Sequence, residues 1–340
     1  MKNKMSKAVS VMVAIALGAA MMGCSSSSDS TEETTEEEVE EEVEEEAEEE
    51  AEEEAVEEVE EEAEEETEEE VEEEAEEEVA LSGDLSDPAS YGDDVAEIME
   101  RGVLRVGVKN AVEGFGYQDT LTGEYSGMEI ELATMIAETL GVEVEFTAVT
   151  AATRTELLDS GDLDCVIATF TITDERKLSW DFTTPYYTDY VSVLVQTDSG
   201  ITTLADLEGK VVGVSSGSTS AKSLVEAMID AGVISDENYD ADTFDAATWD
   251  EGVSFRQYDD YPTISTGLAA GEVDAFCVDK SILAIYNTSD RTYIDEEFAP
   301  QEYGIATTLD SGMSALCEDE ITLWLSDGTI EALYEEFGLD

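Results

Sequence analysis

Histidine is absent from the 340 residues, and lysine and arginine together number 14 against 88 aspartates and glutamates. Without imidazole, the side chain most often used as a general acid or base near neutral pH is missing. The shortage of cations gives a formal net charge of −74. That excludes nucleic acid and anionic lipid surfaces as partners drawn in by charge. It also means that an anionic ligand must be held by a few locally arranged bases. Cysteine is sparse as well: Cys24, Cys165, Cys277 and Cys317 are widely spaced and match no zinc pattern. No metal site and no cofactor are expected. Cys165 and Cys277 lie in apolar, strand-like runs and read as buried structural thiols. The apolar stretch "AVSVMVAIALGAAMMG" (8–23) is too short, and too closely followed by polar residues, for a membrane span.

The charge that is present is unevenly spread. Residues 29–79 hold 35 acidic residues and no base, whereas residues 80–340 hold 53 acidic and 11 basic residues. From Val39 to Val79 an apolar or threonine residue recurs after each run of glutamates with a period of about four. On a helix that spacing drifts by about 40° per repeat and makes no stable apolar stripe. No lysine is available to pair with the glutamates. The segment reads as a solvated, disordered polyanionic spacer of about 50 residues, spanning roughly 40 Å as a flexible coil. Ahead of it, Lys2, Lys4 and Lys7 precede the apolar stretch, which ends at "MMGC". This resembles a bacterial lipobox. Residues 1–23 are then a lipoprotein signal peptide and Cys24 the lipidated first residue of the mature chain. The alternative is an ordinary cleaved signal peptide with an incidental cysteine. Residues 24–94 comprise the lipidated cysteine, the Glu-rich stalk and a linker, "LSGDLSDPASYGDD" (81–94).

A folded body is expected from Val95. "VLRVGV" (103–108) reads as a buried strand and "MEIELATMIAETLG" (128–141) as an amphipathic helix closed by Gly141. "VEVEFTAV" (142–149) alternates as a strand, "RTELLDSG" is a short helix, and "LDCVIATF" (163–170) is the next buried strand. Strands alternating with helices indicate a parallel α/β sheet. The pattern restarts with "TLADLEGKVVGV" (203–214), the helix "AKSLVEAMIDAG" and the helix–strand–helix run "TISTGLAAGEVDAFCVDKSILAIYN" (263–287). It closes with the strand "EYGIATT" (302–308) and C-terminal helices. Two α/β units are expected, joined at crossings near 186–190 and 302–307, with a cleft between them.

Five segments in order, "RGVLRVGV", "TFTITDERKLSWDFTTPYY", "LADLEGKVVGVSSGSTS", "DAFCVDKS" and "EYGIA", make the chain from about Ile98 onward similar to type II solute-binding proteins of ABC importers for polar amino acids. It looks closest to the aspartate/glutamate-binding members through "VGVKN", "AATRTELLDSG", "ATFTITDERK" and "DDYP". The resemblance implies a two-lobe periplasmic-binding-protein type II fold with two hinge strands. Lobe 1 is expected over 95–188 and 305–340, and lobe 2 over 189–304. The implied role is a lipid-anchored, monomeric binding protein on the extracytoplasmic face of the cell membrane, in a bacterium lacking an outer membrane. It would close on an acidic amino acid and deliver it to permease and ATPase subunits.

A free amino acid presents a carboxylate and an ammonium, both solvated, and a cleft must replace that water with aimed partners. Arg176 is the candidate for the α-carboxylate, because a guanidinium grips two oxygens at once. Thr169 and Thr171 are expected on one strand face beside it. In isolation, pairing of Arg176 with a surface acid is the alternative. "SSGSTS" ahead of a helix is an anion cradle, with Ser218 and Thr219 as contacts or as simple N-caps. Asp279 is expected to accept from the ammonium, or else to cap the next helix. Lys109 and Arg154 are expected to read a side-chain carboxylate. With Arg176 they give three cations against one ligand-facing acid, which suits aspartate or glutamate. Tyr261 and Tyr303 are placed at the cleft edge, and Phe115 or Tyr117 is a possible aromatic clamp. Lys177 is read as a surface residue. The competing readings are a binding protein for a neutral polar amino acid such as glutamine, a surface adhesin or sensor, and a cyclohexadienyl dehydratase-like enzyme.

Overall fold

The computed structural model describes residues 80–339. The expected signal peptide (1–23), Cys24 as the expected lipidation site and the Glu-rich segment lie outside the described residues. In chain order the first elements are α1 (Asp93–Arg101), β1 (Val103–Val108), β2 (Ala111–Val112), β3 (Gly116–Gln118), β4 (Tyr125–Ser126), α2 (Met128–Leu140), β5 (Glu143–Ala148), α3 (Arg154–Asp159), β6 (Cys165–Ile167) and β7 (Trp180–Phe182). Then come β8 (Tyr187–Gln196), β9 (Lys210–Ser215), α4 (Ser220–Asp230), β10 (Val253–Tyr258), α5 (Tyr261–Ala270), β11 (Ala275–Asp279), α6 (Lys280–Leu283), β12 (Arg291–Tyr293) and β13 (Phe298–Tyr303). The chain ends with β14 (Ala306–Thr308), α7 (Gly312–Ser326) and α8 (Thr329–Phe337).

Two large sheets organise these elements, and β2-β3-β4 form a small third one. The first runs β5-β1-β6-β14-β7, with β1 parallel to β5 and β6. The second runs β10-β9-β11-β8-β12, with β13 paired to β8. β9 is parallel to both β10 and β11. Parallel strands need both faces covered, which explains the short, nearly continuous apolar runs of β1, β6 and β11. Helix α2 buries Ile130, Leu132, Ala133, Ile136 and Leu140. It stops where Gly141 takes a left-handed φ of 67° and its N–H turns back to Ala137 O. The three described cysteines are free and buried, and burial pushes each thiol up.

The expected strand "EYGIATT" is two strands in two different sheets, separated at Gly304 and Ile305. The chain passes between the sheets at 183–187 and 303–306. These segments lie side by side: Thr183 N–H donates to Ile305 O at 3.1 Å and Tyr186 N–H to Tyr303 O at 2.9 Å. The 81–94 segment is not a free linker. Asp319 on α7 accepts from Ser82 N–H (2.8 Å), Ser82 Oγ (2.9 Å), Gly83 N–H (2.9 Å) and Tyr91 Oη (2.6 Å). The carboxylate thus straps this segment onto the half built on the first sheet. Among the described residues no helix is long and apolar enough to cross a membrane.

Candidate functional site

A small, partly closed cavity lies between the two sheets, lined by residues that include Arg154, Thr169, Thr171, Ser218, Thr219, Tyr261 and Asp279. These side chains come from the C-terminal ends of strands and the starts of helices, where open α/β sheets gather ligand-binding groups. A larger, more open groove of about 560 Å³ runs past Glu113, Lys280 and Leu339. Two of its charged groups are already engaged: Lys280 pairs with Glu297, and Asp189 accepts from Ser281. The smaller cavity, whose wall holds buried polar atoms without hydrogen-bond partners in Arg154 and Ser220, is the stronger candidate site.

Thr169 does not share a strand face with Thr171, because β6 ends at Ile167 and Thr169 takes a left-handed φ of 41°. Such backbone is uncommon for a threonine and costs free energy unless it is held in place. Glu129, buried at the start of α2, does the holding. Its Oε1 accepts from Thr169 N–H at 2.5 Å and from Tyr186 Oη at 2.7 Å. The kink turns Thr169 O toward Arg154, whose Nη1 donates to it at 3.1 Å and to Ala168 O at 2.9 Å. Both threonines reach the cavity, by a different geometry from the expected alternation.

Three cations cluster here: Arg154 lines the cavity, and Lys109 and Arg176 lie close enough to feel its charge without being part of the lining. The Arg154 guanidinium is buried, stacks 3.7 Å from the Phe170 ring centroid, and leaves Nε without a hydrogen-bond partner. Burial holds its pKa down. Lys109 is 3% exposed; its Nζ has no partner and sits 5.2 Å from the Tyr261 ring centroid. Burial, reinforced by the Arg154 charge, holds Lys109 down to about 7. Arg176 is half-buried, stacks over the same Phe170 ring at 4.9 Å, and is held down to about 9 by burial and then by Arg154. Its Nη1 donates to Thr171 O at 2.6 Å and its Nη2 to Gly217 O at 3.1 Å. Arg176 therefore pairs with no surface acid; it spans the cleft. Gly217 has φ 76°, and a Cβ there would lie 2.8 Å from Ala151 O, so the two halves meet too closely for a side chain.

The acids are more numerous than expected. Asp279 stands at the N-terminal boundary of α6 but makes no capping bond. Asp189 does that work through Ser281 N–H at 3.1 Å. Asp279 Oδ2 instead accepts from Tyr303 Oη at 2.6 Å, and burial followed by the Asp189 charge pushes it up to about 7. Glu129 is also raised by burial, and its Oε2 has no partner. Glu129 lies among the same charges but not in the cavity lining, where Asp279 is the one acid among the described residues.

Other expected placements differ. Tyr303 is fully buried behind Asp279, not at the cleft edge. Phe115 is fully buried, edge-on to Tyr187 and Tyr303, and cannot clamp a ligand in this conformation. Tyr117 lies on β3, away from the cavity lining. Thr219 occupies the N-cap position of α4 without capping it; its hydroxyl donates to Gln301 Oε1 at 2.7 Å. Ser218 Oγ donates to Ser215 O at 2.7 Å, and Ser220 Oγ has no partner. The first N–H groups of an α-helix lack intrahelical acceptors, and Thr219 and Ser220, where α4 begins, line the cavity. Lys177 is exposed, as expected. Glu129 and Gln301 were not legible as site residues. The only signal for Glu129 is an acid between Met128 and Ile130 on an otherwise apolar helix face. Among the described residues no group of metal-ligating side chains is present.

Residues 104–339 match the bacterial extracellular solute-binding proteins, family 3. The chain belongs to this family. A glutamine-binding protein of Geobacillus stearothermophilus is 34% identical over 66% of this chain and 80% of its own length. The L-cystine-binding protein TcyJ of Escherichia coli K12 is 33% identical over 74% of this chain and 89% of its own. Among solved structures, an ancestral arginine-binding protein bound to arginine superposes with a TM-score of 0.58 and 32% identity, covering 70% of this chain and 98% of that one. The family 3 member described here thus has the type II amino-acid-binding-protein fold and is a solute-binding component of the amino acid ABC transporter class. The relatives bear names for three chemically different side chains, so membership leaves the ligand to be argued from the site.

Proposed function

We propose that this family 3 protein captures a free acidic amino acid, aspartate or glutamate, and hands it to a permease and ATPase as a monomeric, lipid-anchored component on the outer face of the cell membrane. The observation that carries the ligand assignment is the pair of buried cations, Lys109 and Arg154, each with an N–H group lacking a partner. A side-chain carboxylate would satisfy both, and leaving such groups unpaired is costly. Arg176 and the N-terminus of α4 would take the α-carboxylate, exchanging the carbonyls of Thr171 and Gly217 for it. Asp279, held by Tyr303, would take the ammonium. Thr169, Thr171, Ser218, Thr219 and Tyr261 would complete the wall, and the half bounded by 189–304 would close on the half built from 95–188 and 305–340. Cys24 would carry the anchor, so Cys24→Ser should move the protein from the membrane fraction to the medium.

Glutamine is the second reading. Glu129 already supplies negative charge beside Lys109, and a lysine held near 7 can lose its proton to suit a neutral amide. Calorimetry of residues 80–340 against the twenty amino acids tests the choice. Aspartate or glutamate should bind tightest. Glutamine or a cationic amino acid binding at least about tenfold tighter than both would overturn the acidic assignment. Arogenate and prephenate should be bound weakly and not turned over.

A further inference from the structure

We propose that Gln301 sets the donor–acceptor polarity of the cavity hydroxyls, and so acts as a positioning residue that decides which end of the ligand faces Thr171 and Thr219. The inference rests on the reading of the cavity as an amino acid site. Gln301 is buried on β13 and is not itself part of the cavity lining. Its Nε2 donates to Ala299 O at 2.9 Å and to Pro300 O at 3.3 Å. Its Oε1 accepts from Thr171 Oγ1 at 2.9 Å and from Thr219 Oγ1 at 2.7 Å.

The backbone dictates this amide orientation. A flipped amide would set its oxygen against two carbonyl oxygens and leave its NH₂ without those acceptors. The carbonyls are brought to the amide by an irregular stretch: Ala299 has φ 49°, and the β13–β8 register shifts between Phe298 and Pro300. Each threonine hydroxyl owns one proton, and both protons are committed to the same oxygen. What remains toward the cavity is lone pairs. Thr171 and Thr219 can therefore accept from an ammonium or another N–H, and they repel a carboxylate. The carboxylate is thereby directed to Arg176 and to the N–H groups opening α4. Thr171 bonds beside the crossing segments and Thr219 belongs to the second sheet's half. One amide oxygen thus couples closure of the cleft to the polarity of its wall.

Gln301→Met keeps the length of the side chain and removes the acceptor, which frees both hydroxyls to rotate and donate. The test uses the full chain, with the tightest-binding L-amino acid and its deaminated counterpart, which has hydrogen in place of the ammonium. Wild type should prefer the amino acid strongly. In Gln301→Met, with folding checked by thermal melting, the ratio of the two affinities should fall by about tenfold or more. A parallel drop in both affinities with the ratio unchanged would show a purely structural tie and overturn the proposal. A second readout needs no ligand and no variant. In ligand-free wild type, the Thr171 and Thr219 hydroxyl protons should be observable by NMR in slow exchange with water, close to the Gln301 amide. Their absence overturns the proposal. Failure of every amino acid to bind would instead sink the binding reading, while the NMR result still decides the role of Gln301.

Discussion

Replacing Lys109 with methionine should make the ligand-free protein more stable and a worse receptor for a dicarboxylate. The magnitude follows from the burial of the ammonium. Lys109 is held down from 10.5 to about 7 with no hydrogen-bond partner for Nζ. Each pKa unit corresponds to about 1.36 kcal/mol, so keeping lysine at this position costs the ligand-free fold on the order of 4 kcal/mol at neutral pH. Methionine is similar in length and pliable enough to fill the space. Chemical denaturation at pH 7 should show the unfolding free energy rising by about 2 to 4 kcal/mol in Lys109→Met. On the proposed assignment, the same variant should lose about 2 to 5 kcal/mol of affinity for aspartate or glutamate, because the ligand's second carboxylate would lose a buried partner. The reasoning fails if the variant is destabilised without ligand, or if it is stabilised and binds glutamate as tightly as wild type. The first result would mean the ammonium is compensated in the ligand-free protein. The second would mean that it does not read the ligand.

Arg176→Ala should lower the affinity of every amino acid by more than about a hundredfold in calorimetry, since it removes the bidentate α-carboxylate partner. Gly217→Ala should weaken binding by about tenfold or more, because the left-handed φ and the contact with Ala151 O oppose closure. Small-angle scattering of that variant with saturating ligand should show a larger radius of gyration than wild type. Ligand-free stability should also carry a pH signature from two groups with opposite shifts. Asp279, raised to about 7, makes stability fall as pH rises from about 4 to 7, whereas Lys109, lowered to about 7, makes it rise from about 7 toward 10. Denaturation from pH 5 to 9 should therefore show a minimum near 7, with Asp279→Asn flattening the acid limb and Lys109→Met the alkaline limb. Asp319→Ala should cost about 1 to 3 kcal/mol and expose 80–92 to proteolysis, with ligand affinity unchanged.

Much of the fold was legible because it follows from local periodicity. The buried runs of β1, β6 and β11, the helix 128–140 closed by Gly141, and the restart of the α/β pattern after Gln196 all show in the order of apolar residues. The miscalled pieces depend on contacts that a linear reading does not contain. "EYGIATT" reads as one strand because nothing local marks Gly304 and Ile305 as a passage between sheets. The alternation of Thr169 and Thr171 fails because Glu129, 40 residues away, holds Thr169 in a left-handed turn. Phe115 reads as an exposed clamp until Tyr187 and Tyr303 are seen packed around it. Around the candidate site, the residues that a distinctive charge or motif singles out in the sequence are Lys109, Arg154, Arg176 and Asp279. Residues that act by orienting others were not. Gln301 lies 130 residues from Thr171 and 82 from Thr219, so its hydrogen bonds to both, and the role proposed for it, exist only once the cleft is folded.

The most direct test of the central claim is a crystal structure of the protein with its tightest-binding amino acid. The account predicts the α-carboxylate on Arg176, the ammonium on Asp279, and a side-chain carboxylate within hydrogen-bond distance of Lys109 Nζ and the Arg154 guanidinium. A ligand whose side chain points away from Lys109 and Arg154, with both cations still unpaired, would contradict it.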